Sequence, residues 1–150
     1  MLRPLLAVAA MALGLVTVAA QQNGAEERSA LMGVQANRTY GVLNRMVRGQ
    51  QPYDQARVDE AFVKLAETLE KLPSLFPESS KGQVAAKSNY AAAPGAWDNK
   101  AERDAQIAKI AKVVADLRPR VRSLDDLKAA YPILNGGCND CHQQYRLRKS

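Results

Sequence analysis

Four separate stretches of this chain carry apolar residues three and four positions apart, and none alternates with the period of two that a half-buried strand needs. The sequence therefore predicts an all-α fold. Met32, Ala36, Tyr40, Leu43 and Val47 form the first stripe, on a helix predicted from about Glu26 to Arg48 and stopped at Gly49 before Pro52. Asp54 is a good N-cap for a second helix, whose Val58, Phe62, Leu65, Leu69 and Leu72 make a seam. The third is predicted to start near Asn99, with Glu102 three residues on as in a capping box, and carries Ile107, Ile110, Val114, Leu117 and Val121. Pro119 should end or kink it. Ser123 and Asp126 open the fourth, with Leu127, Tyr131, Leu134, Cys138, Cys141 and Tyr145 on one broad face.

Pro73 closes the second helix, and the residues up to Asp98, including Pro77, Gly82, Pro94 and Gly95, read as a long irregular connection across one end. Four such seams predict an antiparallel up-down-up-down four-helix bundle. With two Phe and one Trp, the seams are thin on bulk. Either a flat cofactor between the helices fills the core, or the core is a small one of Leu and Ala.

The N-terminus has a different character. Arg3 precedes an uncharged apolar run from Leu5 to Val18, and Val18-Ala19-Ala20 offers small residues for processing, the layout of a secretory signal peptide. Cleavage is predicted after Ala20, leaving residues 21–150 as one domain; an uncleaved anchor is the competing reading. No later segment has the apolar length of a membrane span. The processed chain is accordingly expected in the periplasm, an oxidising compartment. Its net charge of +6 is spread along the chain, which suits solvated helix faces, an acidic redox partner or an anionic membrane surface. Export and few aromatics argue against nucleic acid as a partner.

Both cysteines and the single histidine fall within Cys138-Asn-Asp-Cys141-His142, the C-x-x-C-H pattern of c-type haem attachment. Cysteines three apart on a helical turn bring two thiols to the two vinyl groups of one haem, and the adjacent imidazole turns toward the iron as proximal ligand. Three rivals fare worse. A structural zinc site wants four ligands, and this chain offers three. A thioredoxin-like dithiol sits at the start of a helix after a strand, and a disulfide across two residues closes almost no loop. Gly136-Gly137 ahead of the motif either admit something bulky against the backbone or make a simple kink.

The chain resembles the class II c-type cytochromes, the family of cytochrome c' and its low-spin cytochrome c-556 relatives. The strings that carry the resemblance are Arg28-Ser-Ala-Leu-Met32, Gly49-Gln-Gln-Pro-Tyr-Asp54, Leu75-Phe76-Pro77, Pro94-Gly-Ala-Trp97 and Cys138-Asn-Asp-Cys-His-Gln-Gln-Tyr-Arg146. The last is the most specific. Where family proteins often have Gly three residues before the first cysteine, this chain has Asn135, and its spacing from Met32 to Tyr40-Gly41 is about one residue longer than in some members. The resemblance implies a four-helix bundle with one covalent haem c, and it allows a homodimer through the first helices.

Only Met32 and Met46 remain after processing as thioether candidates for the far side of the iron. Fourteen residues apart, about 21 Å along a helix, they cannot both reach it. In an antiparallel bundle the start of the first helix lies beside the end of the fourth, so Met32 is level with His142. The family has an Arg four residues before its distal residue, matched here by Arg28 and Met32. That residue is a ligating methionine in the c-556-like members and often an apolar side chain beside an open iron in cytochrome c'. Both outcomes stay open: Met32 as ligand, or a five-coordinate iron with Met32 nearby. Arg28 and Arg146 are candidate partners of the haem propionates, as the resemblance implies for the first, or else solvated charges. The expected function is a periplasmic mono-haem electron carrier, not an enzyme, and the alternative is a protein binding nitric oxide or carbon monoxide.

Overall fold

The computed structural model describes residues 24–149. The predicted leader, Met1–Ala20, lies outside them. The first rod combines α1 (residues 24–34), a π-helical turn at Gln35–Thr39 and α2 (Tyr40–Val47). It is followed by α3 (Gln55–Lys71), a one-turn α4 (Gly95–Asp98), α5 (Lys100–Leu117) and α6 (Leu124–Tyr145). The second half of the first rod packs on α3 and α6, α3 packs on α5, and α5 packs on α6. Each long helix thus neighbours its sequence neighbours and the chain's last helix returns to its first, closing the up-down-up-down bundle.

Local chemistry sets the helix ends. Gly49, at φ +68°, closes the first rod in a Schellman motif, its amide donating to the Met46 carbonyl and the Gln50 amide to that of Arg45. Asp54 accepts from the Arg57 amide at 3.2 Å, and Ser123 from the Asp126 amide at 3.1 Å. Each such cap contributes about 1 kcal/mol. The expected Asn99–Glu102 box does not form: Asn99 also closes α4, which takes its backbone out of the extended cap conformation, and Glu102 accepts instead from Gln144. α5 ends at Leu117, ahead of Pro119, and Val121 is buried beyond the helix.

Val42, Leu43, Met46, Val58, Phe62, Leu65, Val114, Leu127 and Leu134 are among the side chains of one continuous core. The first stripe runs differently from its prediction. Ala36 is exposed, and Gln35 and Thr39 are buried in its place, because the π turn rotates the face within this rod. Gln35 donates to the Thr68 hydroxyl and, at 3.2 Å, to the Lys64 carbonyl, which anchors the turn on α3. A Cβ at Gly41 would overlap the Ala36 carbonyl oxygen, so the turn requires glycine there.

Two three-residue strands, β1 (Tyr90–Ala92) and β2 (Arg146–Arg148), form an antiparallel ribbon that pins the chain's end to the long connection. Period-two reasoning finds no strands this short. The connection also holds 3-10 turns at Leu72–Leu75 and Glu78–Ser80. It folds over the end of the bundle where α6 finishes.

Candidate functional site

Cys138, Cys141 and His142 lie within the last two turns of α6, which continues as helix through Pro132, Gly136 and Gly137. A Cβ on Gly136 would meet nothing within 4 Å, whereas one on Gly137 would press on Ile110 at 3.3 Å. Gly137 therefore lets α5 approach α6 closely. Both cysteines are free thiols, partly buried, and burial raises the pKa of each. Burial, helped by Arg146, pushes His142 down to about 4, so its imidazole is neutral and keeps a lone pair for a metal at neutral pH.

Beside Cys141 the connection supplies an aromatic cluster. Ala96, Trp97 and Tyr145 are buried together, with Phe76, Ala92 and Cys141 packed against them. Phe76 meets Trp97 edge to face at 5.7 Å, and the Trp97 indole donates to the Pro77 carbonyl at 3.0 Å. The strings Leu75-Phe76-Pro77 and Pro94-Gly-Ala-Trp97 thus come together at the end of the haem motif.

Two arginines are buried in this cluster. Arg28 of α1 is 7% exposed, its guanidinium 4.7 Å from the Phe76 centroid and 5.2 Å from that of Trp97. It donates to the Leu75 carbonyl and, at 3.0 Å, to the Ser80 hydroxyl. Burial, then repulsion from Arg103, pushes it down to about 10, so it stays charged at neutral pH. Arg103 of α5 is 1% exposed and lies 4.4 Å from the same Phe76 ring. Sequence reasoning missed Arg103. The signal was its position four residues before Ile107, one step along the apolar stripe of α5.

The remaining candidates are placed as follows. Met32 is half-buried on α1, one turn after Arg28, and Met46 is fully buried in the main core. Arg146 is exposed on β2 with its guanidinium 4.6 Å from the Tyr90 centroid, outside the Phe76 cluster. α2 and α6 are tied by Tyr40, whose hydroxyl donates to Asn135 Oδ1 at 2.7 Å and whose ring stacks on Tyr131.

The donor set fits a c-type haem. Two unpaired thiols and a neutral imidazole share one stretch of helix, two buried guanidiniums lie close by, and the buried Tyr145 hydroxyl has no hydrogen-bond partner among the described residues. Among the described residues no three or more His, Cys, Asp or Glu side chains are grouped to hold a metal ion, which leaves none for a four-ligand zinc site.

A sequence profile described as cytochrome c' matches residues 23–146. The cytochrome c-555 of Bradyrhizobium diazoefficiens is 36% identical over 148 residues, which cover 99% of each chain. The cytochrome c-556 of Rhodopseudomonas palustris is 36% identical over 146 residues, 97% of each. Among solved structures, the cytochrome c' of R. palustris superposes with a TM-score of 0.75 at 30% identity, covering 85% of this chain and 98% of its own. The structural model of oxidised R. palustris cytochrome c556 gives 0.65 at 33% identity, covering 89% and 98%.

Proposed function

This chain belongs to the cytochrome c' family of class II c-type cytochromes and so carries covalent haem c, and we propose that it is an exported electron carrier whose iron is closed on both faces, by His142 and Met32. Family membership by itself leaves two activities, electron transfer and gas binding. The choice between them rests on the sixth ligand.

The observation that carries this reading is the register between the first rod and α6. Tyr40 is bonded to Asn135, and the two helices run antiparallel. Eight residues back from Tyr40 is Met32; eight forward from Asn135 is Gln143, next to His142. The step along α6 covers about 12 Å at 1.5 Å per residue and the step along the first rod, which includes the π turn, is somewhat shorter, which supports Met32 near the level of His142. Met46 lies six residues forward of Tyr40, level with Ala129 six residues back from Asn135 in the first half of α6, consistent with its packing in one core with Leu127. The π turn at Gln35–Thr39 lies between Met32 and Tyr40, where it accommodates the additional residue in that interval.

Cys138 and Cys141 would hold the haem through thioether bonds to its vinyl groups, and His142 would hold the iron from the proximal side. When bound, the haem supplies a one-electron ferric–ferrous couple. His142 and Met32 would hold the iron from opposite sides, which would keep reorganisation small, and the Met32 thioether would favour the ferrous state. We assign the protein to the periplasm on the leader at Met1–Ala20. The net charge of +6 favours an acidic redox partner.

Proton NMR of the reduced holoprotein tests the reading. Low-spin iron with one strongly upfield-shifted methionine methyl signal, lost in Met32→Leu, is the expected result. A high-spin spectrum without that signal would instead favour the open, gas-binding form.

A further inference from the structure

The geometry points to Arg103 as a second anchor for the haem propionates, working with Arg28 around the Phe76 ring. This rests on the haem reading given above and extends it to a residue on a different helix. Both guanidiniums lie against Phe76, at 4.4 Å for Arg103 and 4.7 Å for Arg28, and both are more than nine-tenths buried.

Local charge does not balance without further anions. Asp104 accepts from Arg103 Nε at 2.9 Å and Nη2 at 2.7 Å, but it also pairs with Lys100 at 2.6 Å. Arg28 has only neutral acceptors, the Leu75 carbonyl and the Ser80 hydroxyl, and forms no ion pair among the described residues. Glu102 bonds Gln144 on the exposed side, and Asp98 pairs with Lys81. Of the two buried guanidiniums only Arg103 meets a carboxylate, Asp104, which it shares with the exposed Lys100, so the buried pair carries an excess of one positive charge. Buried like charges this close are costly unless compensated. A haem brings two carboxylates, and planar guanidiniums suit them better than ammonium groups. The orphaned Tyr145 hydroxyl, in the same cluster as Cys141, is a third donor for the same group.

The test uses holoprotein matured in a host with c-type haem machinery. Resonance Raman spectroscopy reads the propionate bending bands, and voltammetry at neutral pH reads the midpoint potential. Arg103→Gln should shift a propionate band and lower the potential, because a cation that disfavours the ferric charge is lost. Arg103→Lys should recover the potential in part while leaving the band shifted. Arg118→Gln, at the exposed end of the same helix, should change neither. Bands at wild-type positions in Arg103→Gln overturn the inference; if that variant does not mature, unshifted bands in Arg103→Lys overturn it. Protein with no c-type band after alkaline pyridine treatment would overturn the haem reading itself, whereas unmoved propionates in protein that shows the band count against Arg103 alone.

Discussion

The Tyr40 hydroxyl donates a 2.7 Å hydrogen bond to Asn135 Oδ1, joining the first rod to α6 three residues before Cys138. The Tyr40 ring stacks on Tyr131, with centroids 4.9 Å apart. This contact sets the relative height of the two helices that carry the proposed axial ligands. Tyr40→Phe keeps the stack and leaves Asn135 short of a donor, so it should cost about 0.5–1.5 kcal/mol. Urea unfolding of the holoprotein checks this, and an unchanged midpoint would show that the bond is not formed.

The π turn makes an unusual prediction about Gly41. In an ordinary exposed helix Gly→Ala stabilises by about 1 kcal/mol. Here the new Cβ would overlap the Ala36 carbonyl, an oxygen of the backbone that cannot swing aside. Gly41→Ala should therefore destabilise, and a raised melting temperature would contradict the π-helical conformation of Gln35–Thr39.

Much of the bundle is legible in the sequence because it follows from apolar spacing: the seams through Phe62, Ile110 and Leu134 are buried as expected. The cysteines and histidine are legible as a motif, since their chemistry demands adjacency. Other features are hidden for physical reasons. Gln35 and Thr39 are polar residues buried by hydrogen bonding or by a rotated face, and no hydrophobic period marks them. Arg103 extends an apolar stripe with a cation, so periodicity alone assigns it to solvent. The ribbon of β1 and β2 depends on two segments more than fifty residues apart, each too short to carry a pattern.

Acid should weaken the fold through His142. Unfolded, its imidazole protonates near 6.5; folded, burial and Arg146 delay this to about 4. As the pH falls through that window the unfolded chain takes up a proton that the folded chain refuses, so stability declines, and above the window the group contributes nothing. An iron bound to the imidazole acts in the same direction. In the haem-free chain, where no iron holds the imidazole, Arg146→Gln removes a repulsive charge, raises the folded pKa and should flatten the decline. Denaturant midpoints measured across the window in both proteins decide it; identical slopes would contradict the role given to Arg146.

A haem closed on its far side by Met32 should exclude carbon monoxide. Absorption spectroscopy of the reduced holoprotein under carbon monoxide tests it most directly, alongside Met32→Ala and Met46→Ala. The native protein should stay low-spin and resist prompt binding, and Met32→Ala should become high-spin and bind at once. Met46→Ala should keep the native spectrum while losing about 2–5 kcal/mol of stability, as a truncated core side chain does. Prompt carbon monoxide binding by a high-spin native protein, unchanged in Met32→Ala, would contradict the account.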